Sequence, residues 1–227
     1  MITTLFFDLD DTVWDPRPAL IAADRAQWQS IKDQHPDIAA NIDRELINTV
    51  RETVIHKTPS LIENVSDLRL SVMRELLRHK GLSDEQADQS ANTAFACFMA
   101  KRNDVELFDD AHDILSALSE RYQLAAITNG NADVHKTSLG RYFSFALRAD
   151  LVGMAKPDAA IFNLALQQAQ TTAERCVHIG DSIENDVKGA INAGIRAIWF
   201  DPEGRHYNGA TTITALSELP ATLEGLV

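Results

Sequence analysis

The chain has 227 residues, 45% of them hydrophobic and 24% charged, proportions that require a packed core rather than disorder. Its formal net charge of −12 and pI near 4.9 repel nucleic acid and anionic membrane surfaces at long range, which excludes both as expected partners. The two cysteines, Cys97 and Cys176, are too few for a disulfide framework, and no apolar stretch approaches the ~20 residues of a membrane span. The start MITTLFFDLD lacks the basic segment of an export signal. The expectation is a soluble, cytoplasmic protein with reduced thiols, a monomer or homodimer.

Residues Thr4 to Leu9, TLFFDL, form an apolar run that stops in acid, the pattern of a buried strand ending at a loop. Pro16 and Pro18 then mark a break. From Ala19 to about Arg102 the apolar spacing is helical throughout, and it predicts about four helices and no strand. Gly81 stops one helix, and Ser83 to Gln86 reads as a capping box opening the next. After Asn103 the pattern becomes helix Ala111 to Arg121, strand Leu124 to Thr128, helix Ala132 to Leu139, and a short strand from Phe145 to Ala149. Helix Asp158 to Ala169, strand Cys176 to Ile179, helix Glu184 to Ala193 and strand Ala197 to Phe200 follow. Strands alternating with helices predict an α/β fold with a doubly wound parallel sheet. The all-helical stretch is then an insertion, giving a discontinuous core of residues 1–15 and 105–227 and a helical domain of residues 16–104. Hinges are expected near Asp15-Pro16 and Asn103-Asp104, with the helical lobe over the strand ends.

In an open parallel sheet, ligands bind beyond the carboxyl ends of the strands. Strand one ends in Asp8-Leu9-Asp10-Asp11-Thr12, strand two in Thr128-Asn129-Gly130, and a later strand in Gly180-Asp181-Ser182, with Asp186 further on. Lys156-Pro157 precedes the Asp158 helix. Asp8 and Asp10 share a face of an extended backbone, and like charges that close need a cation or a shared proton. With Asp181 they form an oxygen cluster without histidine or cysteine, which suits magnesium (Mg2+). The acidic chain repels a phosphate unless such a metal, a lysine or a helix N-terminus provides positive charge. Asp8 could then attack phosphorus, Asp10 could protonate the leaving oxygen and activate water, and Lys156 could offset phosphoryl charge. Thr128 and Asn129 could donate hydrogen bonds, with a helix N-terminus just beyond. Each segment alone reads better as a turn, a cap or a solvated surface residue; the four together, in this order and each at a strand end, do not.

FDLDDT, AITNG, AKPDAAIF and HIGDSIENDVKGA resemble, in order, the four motifs of the haloacid dehalogenase (HAD) superfamily. The resemblance covers roughly residues 1–15 and 105–205, and the inserted helices look like that family's helical cap. It implies a Rossmann-like core and a magnesium-dependent hydrolase acting on a small phosphorylated metabolite. Asp8 would be the nucleophile and a metal ligand. Asp10 would be the general acid and base and would give the metal its backbone carbonyl. Thr12 completes the first motif and Thr128 the second. Asp181 would be the third protein contact to the metal, and Asp186 would orient Lys156 or the metal's waters. The dehalogenase branch lacks an acid at the position of Asp10, so its presence favours phosphate chemistry. FDLDDTVWD and ITNGN look most like bacterial phosphatases acting on flavin mononucleotide and on the ribityl-phosphate precursor of riboflavin.

A sugar phosphomutase or a 2-haloacid dehalogenase on the same core, and a non-catalytic HAD binding protein, stand as alternatives. A phosphoryl-accepting receiver module does not, because its acceptor lies on a middle strand with no helical insertion. Trp14 follows the first motif, either as an aromatic wall for a flavin or pyrimidine ring or as a packed hinge residue. His178 reads as a satisfied core histidine, and His112 and His135 as solvated. Asp109-Asp110 reads as the polar start of a helix. Lys101 and Arg102 could face an anionic substrate or solvent.

Overall fold

The computed structural model describes residues 1–226. The chain divides into two compact units, Met1–Pro16 with Val105 onward, and Arg17–Asp104.

In chain order the elements begin with β1 (Thr4–Phe7) and β2 (Trp14–Asp15). The helical unit follows, with α1 (Arg17–Gln34), the short α2 (Pro36–Ala39), α3 (Arg44–Lys57), α4 (Val65–His79) and α5 (Asp84–Arg102). The chain then returns to the first unit with β3 (Glu106–Leu107), α6 (Ala111–Ser119), β4 (Gln123–Thr128), β5 (Phe143–Arg148), α7 (Ala149–Val152) and α8 (Ala159–Gln168). β6 (Cys176–Gly180), α9 (Gly189–Asn192), β7 (Arg196–Phe200), β8 (Thr211–Ile213) and α10 (Leu219–Glu224) complete it.

The first unit is a six-stranded sheet in the order β5-β4-β1-β6-β7-β8, with every neighbouring pair parallel. Both faces are buried. Leu5 and Phe7 of β1 enter one core with Leu115 of α6 and Ile198 of β7. Phe6 points the other way, into a second core with Ile127, Phe162 of α8 and Ala190 of α9. This is why the strands read as continuous apolar runs. The chain is the expected doubly wound, Rossmann-like α/β fold. No described helix is long and apolar enough to cross a membrane.

β1 lies in the middle, paired with β4 through Phe7↔Ala126 and with β6 through Phe7↔Ile179. The Asp8 amide extends the ladder by donating to the Ile179 carbonyl at 2.8 Å. The residues just past β1, β4 and β6 therefore emerge side by side.

In the helical unit, Trp28 of α1 packs against two small cores, one built on Ile31, Met73 and Leu77 and the other on Val50, Val54 and Leu76. The capping box forms: the Gln86 amide donates to Ser83 Oγ at 3.3 Å, and the Ser83 amide to Gln86 Oε1 at 3.2 Å.

Two expected helices depart from the sequence reading. The helix expected over Ala132 to Leu139 is absent; the chain makes short 3-10 turns at Val134–Lys136 and Gly140–Tyr142 instead. Asp133 accepts from the His135 amide at 3.1 Å, and Thr137 Oγ1 donates to the Val134 carbonyl at 2.7 Å. These local side-chain bonds compete with helical pairing. Gly140 closes against the backbone of Val134 and His135, where a Cβ would have no room. The helix expected from Glu184 opens as a wide π turn over Ile183–Lys188 before α9, with the Val187 amide reaching the Ser182 carbonyl. Two further elements, the antiparallel β2–β3 ribbon and β8, are too short to leave a periodic signal.

Candidate active site

Strand ends deliver all the expected site residues except Lys156, which lies in the loop between α7 and α8. Asp8 follows β1, and Asp10 stands two residues on. Asp11 adopts a left-handed φ of 58°, and the chain reverses through Thr12 and Val13, whose amides return to the Leu9 carbonyl at 3.2 and 2.9 Å. Thr128 ends β4, Asp181 follows β6, and the wide turn after Ser182 buries Asp186. Asp8, Asp10, Thr128, Asn129, Lys156 and Asp181 border one cavity of about 330 Å3, together with Asp186.

Lys156 is the electrostatic centre. Its ammonium donates to Asp8 Oδ1 and to Asp186 Oδ1, both at 2.6 Å, and its side chain is 1% exposed. Burial alone would strip the lysine of its proton, but Asp186 and Asp8 outweigh it and hold the pKa above the usual lysine value. For Asp186 burial pushes upward, yet the Lys156 charge and the His178 hydrogen bond prevail, and the carboxyl lies well below the usual range. Asp8 is the opposite case. Burial, then the charges of Asp186 and Asp181, overcome the pull of Lys156 and raise it to about 8. Burial and the neighbouring Asp186 and Asp11 raise Asp181 to about 6. One ammonium thus satisfies Asp186 and leaves Asp8 and Asp181 short of positive charge.

Several residues do different work from that read in the sequence. The Asn129 side chain clamps the Lys156 backbone: Nδ2 donates to its carbonyl and Oδ1 accepts from its amide, both at 2.8 Å. Thr128 Oγ1 accepts from the Gly130 amide at 3.0 Å, which leaves its proton to donate. No helix N-terminus follows these two residues, because a turn replaces the expected helix. Thr12 is buried and donates to Asp181 Oδ1 at 3.4 Å.

Asp186 Oδ2 accepts from the Ser182 amide at 3.0 Å, while Oδ1 takes Lys156 and, at 2.8 Å, His178 Nε2. The cluster is therefore not free of histidine. His178 is fully buried on β6, and burial lowers its pKa against the pull of Asp186, so the neutral ring donates from Nε2. Its Nδ1 has no hydrogen-bond partner among the described residues. The period-2 pattern of the strand placed this histidine in the core; its distance from Asp186 was legible only once the π turn was known.

Trp14 does not offer a wall to a ring. It is 0% exposed within the core beside β1, and its indole N–H donates to Asp10 Oδ1 at 2.7 Å. Arg102 is buried at the end of α5, whereas Lys101 is exposed. His112 is half-buried and bonded to the Tyr142 hydroxyl at 2.8 Å, while His135 is exposed. Asp110 does precede the first turn of α6.

Oxygen atoms of Asp8, Asp181 and Asp186 lie within 4.8 Å of one another. With Lys156 as the one ammonium bonded to them among the described residues, three carboxylates carry a formal excess of two negative charges. A hard dication matches both the donor atoms and that charge.

A model of the haloacid dehalogenase-like hydrolases matches residues 2–194. The chain is 33% identical over 202 residues to the 5-amino-6-(5-phospho-D-ribitylamino)uracil phosphatase YigB of Escherichia coli (strain K12), across 89% of this chain and 84% of that protein. It is 27% identical to the ribulose-1,5-bisphosphate 5-phosphatase of Halopiger xanaduensis, across 89% of this chain and 86% of the relative. A solved structure of a 2-haloacid dehalogenase from Pseudomonas syringae pv. Tomato DC3000 superposes with a TM-score of 0.94 at 36% identity, covering 100% of both chains. With the four motif segments converging on one sheet edge, the chain belongs to the haloacid dehalogenase-like hydrolases.

Proposed function

We propose that this chain is a magnesium-dependent phosphomonoester hydrolase that works through an aspartyl-phosphate on Asp8. The observation that carries the reading is the shared lysine: Lys156 bridges Asp8 and Asp186 at 2.6 Å each and leaves Asp8 raised to about 8. A nucleophilic carboxylate must be ionised, so this site needs a further cation to work at neutral pH. Asp8 and Asp181 would hold magnesium directly, with the Asp10 backbone carbonyl. Asp186 acts by holding Lys156, because both its oxygens already accept hydrogen bonds. When bound, magnesium would neutralise the cluster and draw charge from the phosphoryl oxygens.

The residues divide the work as follows. Oδ1 of Asp8 is held by Lys156, which leaves Oδ2 to attack phosphorus as the ester P–O bond breaks. Asp10 gives its proton to the departing alkoxide and then takes one from the water that attacks the aspartyl-phosphate. The second attack releases inorganic phosphate and restores Asp8. Lys156 and the Thr128 hydroxyl face the charge on the phosphoryl oxygens.

The substrate is a small phosphorylated metabolite, taken up by a soluble monomer or homodimer without nucleic acid or membrane. The likeness to a protein named as a ribitylaminouracil phosphatase supports a riboflavin-pathway ribityl phosphate, or flavin mononucleotide, as the first compounds to try. The dehalogenase reading is favoured by the likeness to a solved structure of that name. Asp10 speaks against it, because a halide leaves without a proton and needs no acid beside the nucleophile.

The deciding experiment is a release assay on purified protein with magnesium. It screens phosphorylated metabolites for inorganic phosphate and 2-haloacids for halide, with Asp8→Asn as the control. Phosphate release that disappears with chelator and in Asp8→Asn is expected. Halide release that persists in chelator would replace the phosphatase with a dehalogenase. Phosphate kept on an isomerised product would instead identify a mutase.

A further inference from the structure

The helical unit contains a cavity of about 550 Å3 walled by α1, α3 and α4, within the roughly 300–1,000 Å3 of small-molecule sites. Helix spacing explains its lining. Arg44, Ile47, Asn48 and Arg51 stand at i, i+3, i+4 and i+7 on α3, so they share one stripe, and all four border the cavity. On α4 the same rule brings Leu68, Val72 and Leu76 to the floor. Gln27 and Trp28 close the α1 side.

The three arginines here are not equivalent. Arg69 is fixed: its guanidinium reaches Asp24 at 2.5 Å and Gln27 Oε1 at 3.0 Å, and it lies 3.9 Å over the Phe98 ring. Asp24 cancels its charge. Arg44 and Arg51 are exposed and take part in no ion pair among the described residues. In a chain with 33 acidic and 21 basic residues, two arginines left without acids on one apolar cavity amount to uncompensated positive charge. They are two helical turns apart, about 10.5 Å along the axis, so their long side chains can converge on one anionic group. A guanidinium offers paired donors that match carboxylate, sulfonate or phosphate. Trp28 is half-buried, wedged against both cores of the unit, and presents an aromatic surface to the same space.

We propose that this cavity is a binding site for an organic anion with a flat, apolar body. Arg44 and Arg51 take the anionic group, and the body lies on Trp28, Leu68 and Val72. The site is separate from the Asp8 cluster in its residues and in its chemistry. The ligand is a free metabolite of that chemistry, distinct from the ester attacked at Asp8.

The test is a titration of the full chain with 1-anilinonaphthalene-8-sulfonate, followed by its fluorescence, beside the uncharged N-phenyl-1-naphthylamine. One molecule of the sulfonate should bind per chain. The double variant Arg44→Gln, Arg51→Gln should weaken it at least tenfold while leaving the thermal melt unchanged, since both side chains are exposed. The uncharged amine should bind the two proteins alike. Equal sulfonate affinity in wild type and double variant, or loss of binding in Asp8→Asn, overturns the site.

Discussion

The indole N–H of Trp14 donates to Oδ1 of Asp10 at 2.7 Å, from a ring with no exposed surface. The tryptophan aims the proposed general acid from behind and has no face left for a substrate. Trp14→Phe keeps the ring bulk and removes the donor. Its kcat/KM for alkyl phosphates should fall about tenfold, the upper range for one neutral hydrogen bond. p-Nitrophenyl phosphate should suffer much less, because nitrophenolate leaves without a proton. Matching losses on both substrates would reduce Trp14 to a packing residue.

Gly180 ends β6 directly beneath Asp186. A Cβ there would overlap the Asp186 carboxyl group, the group that holds Lys156. Gly180→Ala should therefore cost roughly 10–100-fold in kcat/KM, the range seen when a group that orients a metal or catalytic residue is displaced. Wild-type kinetics in this variant would mean that Asp186 can shift without disturbing the lysine.

Cation binding should release protons. Asp8 is raised to about 8 and Asp181 to about 6, and both must ionise to hold magnesium. Below pH 8 affinity should fall about tenfold per pH unit, and more steeply below pH 6 as Asp181 joins. Calorimetry in buffers of differing ionisation enthalpy measures the protons released. A magnesium affinity flat from pH 6 to pH 8 would contradict the proposed ligand pair.

The same raised carboxyls fix the sign of the metal-free protein's stability. A carboxyl whose pKa is higher folded than unfolded contributes stability that is fully present below its unfolded value near 4 and is lost as pH rises through the folded value. The metal-free protein should therefore melt at lower temperature as pH climbs from 5 to 8.5, first through Asp181 and then through Asp8. Asp8→Asn removes the second part. It should be inactive and yet melt at or above the wild-type temperature at pH 8.5 without metal. A lower melting point for that variant would show that the ionised Asp8–Lys156 pair stabilises the fold.

The sheet was legible because strands buried on both faces leave unbroken apolar runs, and TLFF, LAAIT and CVHIG each stop abruptly in polar residues. Asp8, Asp10 and Asp181 were legible for the same reason, since the residues after such a run lie at the strand end; Lys156, in the loop between α7 and α8, was legible only through the segment AKPDAAIF. What escaped depends on contacts between distant segments. Nothing near Asn129 in sequence says that its amide pairs with the backbone of residue 156. Nothing in HIGDS says that a wide turn brings Asp186 to His178. The false helix after Gly130 shows the converse: Asp133 and Thr137 carry helical spacing around them, but their own short side chains capture the backbone.

The pairing of β1 with β6 has a further consequence. Phe7 stands opposite Ile179, so Asp8 and Asp181 leave neighbouring strands one residue out of step. Their separation is set by the interval between hydrogen-bonded strands, ~4.8 Å in any sheet, rather than by how side chains on the outer helices happen to fit. The backbone acts as a ruler. Substitutions on the solvent faces of α6, α8 and α10 can accumulate without changing the span between the two carboxylates, which leaves the helices free to diverge while the cation site keeps its gauge.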